Sequence, residues 1–178
     1  PVGVASDKGG SVFVEGDGRV HLEQIVWTHS PLDSSGMPRL VEGGHVYSRS
    51  TAFTTVTVVN SVLSNAEANL GGAVSVGGGW FFLSSTLMSG NTAELGGAVH
   101  MSGTAYGFFS LMTFDGNDAS LSGGAVHLAD FSLIQALGAN TWLNNTASGA
   151  GADGGAISMG DYTSLSIGQG DLIGNAAD

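Results

Sequence analysis

Six times along this chain, apolar residues alternate with small or polar ones directly after a pair of glycines. Val12 and Val14, Val74 and Val76, Val99 and Met101, Val126 and Leu128, and Ile157 and Met159 share one parity. Ser11, Phe13, Ala73, Ser75, Ala98, His100, Ala125, His127 and Ser158 share the other. Alternation with period two predicts short strands with one buried face. The second unit keeps Val46 but has Ser48 at the next inward position. Further β-branched or aromatic stretches follow at 53–59, 80–83, 106–112 and 131–137.

The glycine pairs are Gly9-Gly10, Gly43-Gly44, Gly71-Gly72, Gly96-Gly97, Gly123-Gly124 and Gly154-Gly155, at spacings of 34, 28, 25, 27 and 31 residues. A period in this range signals a solenoid or a propeller. A second landmark closes each later unit, an apolar residue followed three positions on by asparagine: Val62 and Asn65, Met88 and Asn91, Phe114 and Asn117, Trp142 and Asn145, Leu172 and Asn175. The units are shorter than the roughly 40 residues of a propeller blade. Interior glycine costs a helix about 1 kcal/mol relative to alanine, and no 3.6-residue stripe runs through the units. The pattern therefore predicts an all-β, single-stranded parallel β-helix (a solenoid) of about six coils, forming one domain over 1–178.

In that geometry equivalent residues of successive coils stack about 4.8 Å apart, so six coils make a rod of roughly 29 Å. Asn65, Asn91, Asn117, Asn145 and Asn175 are expected to form a ladder in which each amide donates to the next. The Gly-Gly pairs supply the other sharp corner, where a Cβ would clash. Irregular unit lengths predict loop insertions at 30–42 and 147–153.

Composition narrows the partners. The chain has 178 residues, 42% of them hydrophobic, thirty glycines and a net charge of −11 from fifteen acids against four Lys and Arg. Nucleic-acid binding is disfavoured, because phosphate recognition needs a basic surface. No apolar run reaches the roughly 18 residues of a membrane span. Without cysteine, neither a disulfide framework nor a thiolate metal site can form. The start at Pro1, with no signal peptide, suggests a processed or excised segment whose targeting sequence lies outside it.

Gly71-Gly-Ala-Val74, Gly96-Gly-Ala-Val99, Gly123-Gly-Ala-Val126 and Gly154-Gly-Ala-Ile157, together with Phe114-x-x-Asn117, resemble the repeats of the chlamydial polymorphic outer membrane proteins. Similar repeats occur in large surface proteins of other microbes, algae included. The likeness covers 43–178 well and 9–42 loosely. It implies a right-handed β-helix in an extracellular or cell-surface protein used for adhesion or as a structural stalk. It carries over no catalytic residues.

No catalytic, cofactor-binding or metal-binding residue is assigned. Pectin-active enzymes share the β-helix and make the competing class, a lyase-like enzyme on polysaccharide. Such chemistry needs clustered aspartates near basic side chains. Asp115 and Asp118 straddle Asn117, but Arg19, Arg39 and Arg49 all lie in the first 50 residues. Calcium is a weak candidate at Gly168-Gln-Gly-Asp171 and Glu15-Gly-Asp17, which do not recur in register. His100 and His127 fall on one outward column, where two imidazoles still lack the further ligands of a zinc site; an exposed or loop-covered ladder is the expectation. Asn144-Asn-Thr146 is the sole glycosylation sequon. Thr55-Val-Thr57 is the lone Thr-x-Thr rank, too little for an ice-binding face. Among the aromatics of 80–82 and 106–109, mostly core, a few must point outward and would mark a contact surface.

Both ends of the chain fall at nearly the same phase of the repeat, and neither carries a cap. From Asn175 to the Gly-Gly of a following copy is 12 residues, against 5 to 9 inside the chain. The expected function is thus non-enzymatic, structural or adhesive, with head-to-tail self-association into a filament or continuation of a longer β-helix. A glycan-binding module is the other alternative, with glycans or cell surfaces as partners.

Overall fold

A computed structural model of the chain describes residues 10–28, 42–49 and 53–178. Among the described residues all regular structure is β, and it winds as a parallel β-solenoid in which six strands stack in five steps on each of three faces. The first face stacks Val12–Glu15, Val46–Arg49, the opening halves of Val74–Ser84 and Val99–Ser110, then Val126–Leu128 and Ile157–Met159. The second stacks Arg19–Glu23, Thr55–Val59, the closing halves of the two long strands, and the opening halves of Leu133–Leu143 and Ser164–Ile173. The third runs from Val26–Trp27 through Val62–Ser64, Leu87–Ser89 and Thr113–Asp115 to the closing halves of those last two strands. A shorter fourth column holds Thr92–Leu95, Asp118–Ser122, Thr146–Ala147 and Ala176–Ala177.

Every pairing is parallel, so like stacks on like. Val12, Val46, Val74, Val99, Val126 and Ile157 form one unbroken column. Alternation then drives the next inward column into the core, where Val14, Ser48, Val76, Met101 and Leu128 are all buried. Ser48 is the exception in kind: its hydroxyl is buried without a hydrogen-bond partner, a cost an apolar side chain would avoid. Leu63, Met88, Phe114 and Trp142 fill the third face's core, with the Phe114 and Trp142 rings stacked at 5.8 Å. Gly170 leaves the room that the Trp142 ring takes, since a Cβ there would stand 2.8 Å from it.

The Gly-Gly corner needs each of its residues for a different reason. The first glycine is left-handed, as at Gly96 with φ +65°. The second faces the next coil's backbone: a Cβ on Gly97 would lie 2.1 Å from the carbonyl oxygen of Gly124 and 2.6 Å from that of Asp118. His45 takes the place that alanine holds after the later pairs. Its ring is fully buried beside Trp27, with Nε2 3.3 Å from the Ser64 carbonyl oxygen.

The asparagine column is a complete hydrogen-bond system. Asn91, Asn117 and Asn145 each donate a side-chain N–H to the Oδ1 of the next asparagine at 2.9 Å, ending on Asn175. Each of those three acceptor oxygens also takes the backbone N–H of the preceding asparagine. The second amide hydrogen goes to the carbonyls of Leu63, Met88, Phe114 and Trp142. Asn65 does not belong to it. The strand register pairs Met88 with Leu63, not Val62, and Ala66 is the residue whose N–H reaches Asn91 Oδ1. Asn65 instead stands at the left-handed turn one step earlier, with Gly90, Gly116, Asn144 and Gly174. Counting from Val62 places it one residue out.

A second polar column lies between the second and third faces. Ser61 Oγ accepts from the backbone N–H of Ile25, Thr86 Oγ1 from that of Ser61, and Asn140 Oδ1 from that of Met112. Side chains of three types do one job here, so no motif marks the column in the sequence.

Candidate functional site

Gly9 and nearly all of the 30–42 insertion lie outside the described residues, as do His29 and Arg39. The 147–153 insertion is described: Ala147 pairs on the fourth column, and Ser148 donates its N–H to the Ala119 carbonyl before Asp153 rejoins the Gly-Gly approach beside Ser122.

On the outer side of the first face, the column reads Phe13, Tyr47, Ser75, His100, His127, Ser158. Ser75 and His100 are buried despite pointing away from the core. Tyr47 is buried as well, and burial together with the hydrogen bond it donates to Glu42 pushes its phenol up. The His100 and His127 rings stack at 5.5 Å and 9°. Burial, then the neighbouring His127, lowers His100 to about 4, against a smaller opposing pull from Asp130. Burial lowers His127 as well. Both Nδ1 atoms lack hydrogen-bond partners. Parallel rings aim their in-plane lone pairs side by side rather than at one point, so the pair alone does not converge on a metal ion.

The acids are taken up singly. Asp115 accepts from the Asn144 amide, and Asp118 from the Thr146 and Ser148 hydroxyls. Asp171 sits in register with Thr141, and Glu15 in register with Arg49 of the next coil. Among the described residues no three His, Cys, Asp or Glu side chains stand where they could hold one metal ion. Arg19 and Arg49 lie in the first two coils, away from Asp115 and Asp118 in the fourth. Asn144 of the sequon is exposed, whereas its neighbour Asn145 is inside the ladder.

The outer side of the second face carries the largest aromatic group. Trp80 and Phe82 of one coil lie beside Tyr106 and Phe108 of the next. Their rings stack with nearly parallel planes: Trp80 to Tyr106 5.1 Å and 24°, Phe82 to Phe108 5.0 Å and 11°, Trp80 to Phe108 5.8 Å and 14°, Trp80 to Phe82 6.5 Å and 12°. Three of the four are exposed, Trp80 to 40%. Between them Phe81 and Phe109 point inward and are buried. The alternation of strand side chains foretells that split, while the register that brings the two outward pairs together is not visible in the spacing of 25 or 27 residues alone.

The coil from Ile157 to Ala177 differs from those before it. Leu172 occupies the register of Trp142 yet is 54% exposed, and Ile173 is equally open. Gly174 and Asn175 stand where Asn144 and Asn145 pass their backbone N–H groups to the following coil.

These features define a parallel β-solenoid: a repeat scaffold with columns of stacked side chains, an outer aromatic stack and an apolar edge. No helix among the described residues is long and apolar enough to cross a membrane. Comparison with protein-family models, curated proteins and solved structures finds no match for the chain. What stands of the chlamydial resemblance is the coiled parallel architecture.

Proposed function

We propose that this chain is a non-enzymatic structural and adhesive module, extracellular or on the cell surface, whose coil 157–177 is completed by a further coil. That coil comes from a second copy stacked head to tail, or from continuation of the same β-helix. The observation that carries this reading is the unchanged register up to Asn175 combined with exposure of the apolar residues that earlier coils bury. Exposed inward side chains such as Leu172 and Ile167, whose counterparts Trp142 and Ala136 are buried, would each gain about 1.5–3 kcal/mol on burial under a further coil. Parallel strands with open amides invite such pairing, and a head-to-tail contact of this kind propagates into a filament. Adhesion and surface location rest on the repeat resemblance and on a net charge that favours a solvated, self-repelling exterior.

Electron microscopy of native material tests the reading. Rods longer than the roughly 29 Å of six coils are expected, and Leu172→Lys should shorten them when the copies stack. Uniform particles of single-chain length at micromolar concentration, with no flanking coils in the native polypeptide, would refute it.

A further inference from the structure

We infer that Asn144 is an acceptor for an N-linked glycan, carried on the outer corner between the third face and the fourth column. The inference rests on the extracellular reading above, because the modification needs a secretory route. It does not depend on coil stacking.

Asn144-Asn145-Thr146 has the acceptor pattern, an asparagine with a hydroxyl two positions on. The fold itself requires neither end of that pattern. Residue 144 stands in the left-handed column with Asn65, Gly90, Gly116 and Gly174, where glycine serves three coils and asparagine two. Thr146 stands in register with Asp118 and Ala176, and beyond Asp118 with Thr92 and Glu67. That position therefore accepts an acid or a bare methyl group as well as a hydroxyl. The two ends coincide in one coil only: Asn65 has Glu67 two positions on, and Thr92 follows Gly90. The hydrogen-bonded ladder accounts for Asn145 and leaves Asn144 without a structural role of that kind.

A linked glycan is bulky and hydrophilic, so the folded coil must leave room for it. Asn144 is exposed, whereas Asn145 is fully buried. Along the column both neighbours of Asn144, Gly116 and Gly174, lack side chains. A Cβ on Gly116 would meet nothing within 4 Å, and one on Gly174 would lie 2.7 Å from Asn144 Oδ1. The amide thus lays its oxygen over Gly174 and donates from Nδ2 to Asp115 Oδ1 of the preceding coil at 3.3 Å. Nδ2 carries two hydrogens and has that one protein partner. Attachment replaces one N–H with a bond to the sugar C1, and the other still reaches Asp115. The donor class is an oligosaccharide on a lipid pyrophosphate. Its C1–O bond breaks as C1–Nδ2 forms, the lipid pyrophosphate leaves, and the amide proton passes to a base of the transferring enzyme. On this corner the glycan extends sideways from the rod and stays clear of the apolar edge at Leu172.

The test is peptide mass spectrometry of the native protein after peptide-N-glycosidase treatment in heavy-oxygen water. Protease shaving of intact cells reports location separately. Asn144 is expected as aspartate carrying the heavy oxygen, and Asn65, in the same turn geometry without the hydroxyl, as unmodified asparagine. Variants secreted from eukaryotic cells supply the controls. Asn144→Gly keeps the left-handed turn as Gly116 and Gly174 do, and Thr146→Ala matches Ala176, so both should fold and lose the glycosidase-sensitive mass entirely. Glu67→Thr should add a second such mass at Asn65. Unmodified Asn144 on protein shaved from the cell surface would overturn the inference and leave the surface reading standing. A chain neither shaved nor modified would overturn both. A wild-type chain that stays unmodified after eukaryotic secretion would also overturn the acceptor site.

Discussion

Two corners of the same coil are built on opposite principles. At the Gly-Gly corner the next coil's backbone sits where a Cβ would go, 2.1 Å away at Gly97. At the corner beside the asparagine column, only a left-handed backbone is required. Gly116 has φ +60° and open space around its would-be Cβ, and its equivalents are Asn65, Gly90, Asn144 and Gly174. The first corner excludes every side chain by contact, so the glycine recurs without exception. The second excludes side chains chiefly through torsion, which asparagine tolerates at modest cost; the contacts a Cβ would make at Gly90 and Gly174 are with movable asparagine side chains, not backbone. Contact specifies a residue; torsion specifies only a preference.

Gly97→Ala should break the first corner with the largest effect, because both coils must separate to admit one methyl group. A loss above about 3 kcal/mol in chemical denaturation is expected. Asn117→Ala tests the column between the corners. It removes the acceptor for two Asn91 donors and leaves the Met88 carbonyl short of a partner. Stranding buried polar groups costs about 1–3 kcal/mol each, so a loss of about 3 kcal/mol is expected from melting curves.

The burial of His100 can be probed by pH. Its folded pKa of about 4 lies below the ordinary 6.5. The unfolded chain therefore takes up the proton first as pH falls. Stability from this residue is unaffected above about pH 6.5, declines through the interval, and levels off below about 4. The whole loss is about 3 kcal/mol at roughly 1.4 kcal/mol per unit. His100→Gln should flatten that part of the pH profile of unfolding. Gly116→Ala, by contrast, meets strain without collision and should cost about 1–2 kcal/mol. A loss as large as that of Gly97→Ala would erase the distinction between the corners. Smallest is Ser48→Val, which matches its column neighbours Val14 and Val76 and removes an unpaired hydroxyl. A gain of about 1 kcal/mol is expected.

The same contrast explains what the sequence reveals. The Gly-Gly pairs and the inward valines are legible because contact and burial allow few substitutes. Four of the five ladder asparagines are legible for a like reason, since a buried amide there makes its full set of bonds. Asn65 misleads because asparagine also suits a left-handed turn, and Val62 precedes it at the expected distance while Leu63 holds the true register. The column of Ser61, Thr86 and Asn140 escapes because a hydroxyl and an amide oxygen serve equally as acceptors. The outer aromatic stack is half legible. Alternation turns Trp80 and Phe82 outward, but their alignment with Tyr106 and Phe108 depends on a bulge between Met101 and Thr104 that resets the register. Parity puts His100 on an outward column and leaves open whether it is exposed or covered; the structure buries it.

Amide hydrogen exchange on native material, resolved at Gly174 and Asn175, tests most directly whether a further coil completes this one. Their counterparts Asn144 and Asn145 give their N–H groups to the next coil, at 2.9 Å to the Ile173 carbonyl and to Asn175 Oδ1. Protection at Gly174 and Asn175 equal to that at Asn144 and Asn145 is expected. Free exchange at the later pair, with the earlier pair protected, would mean that no coil follows and would contradict the stacking module.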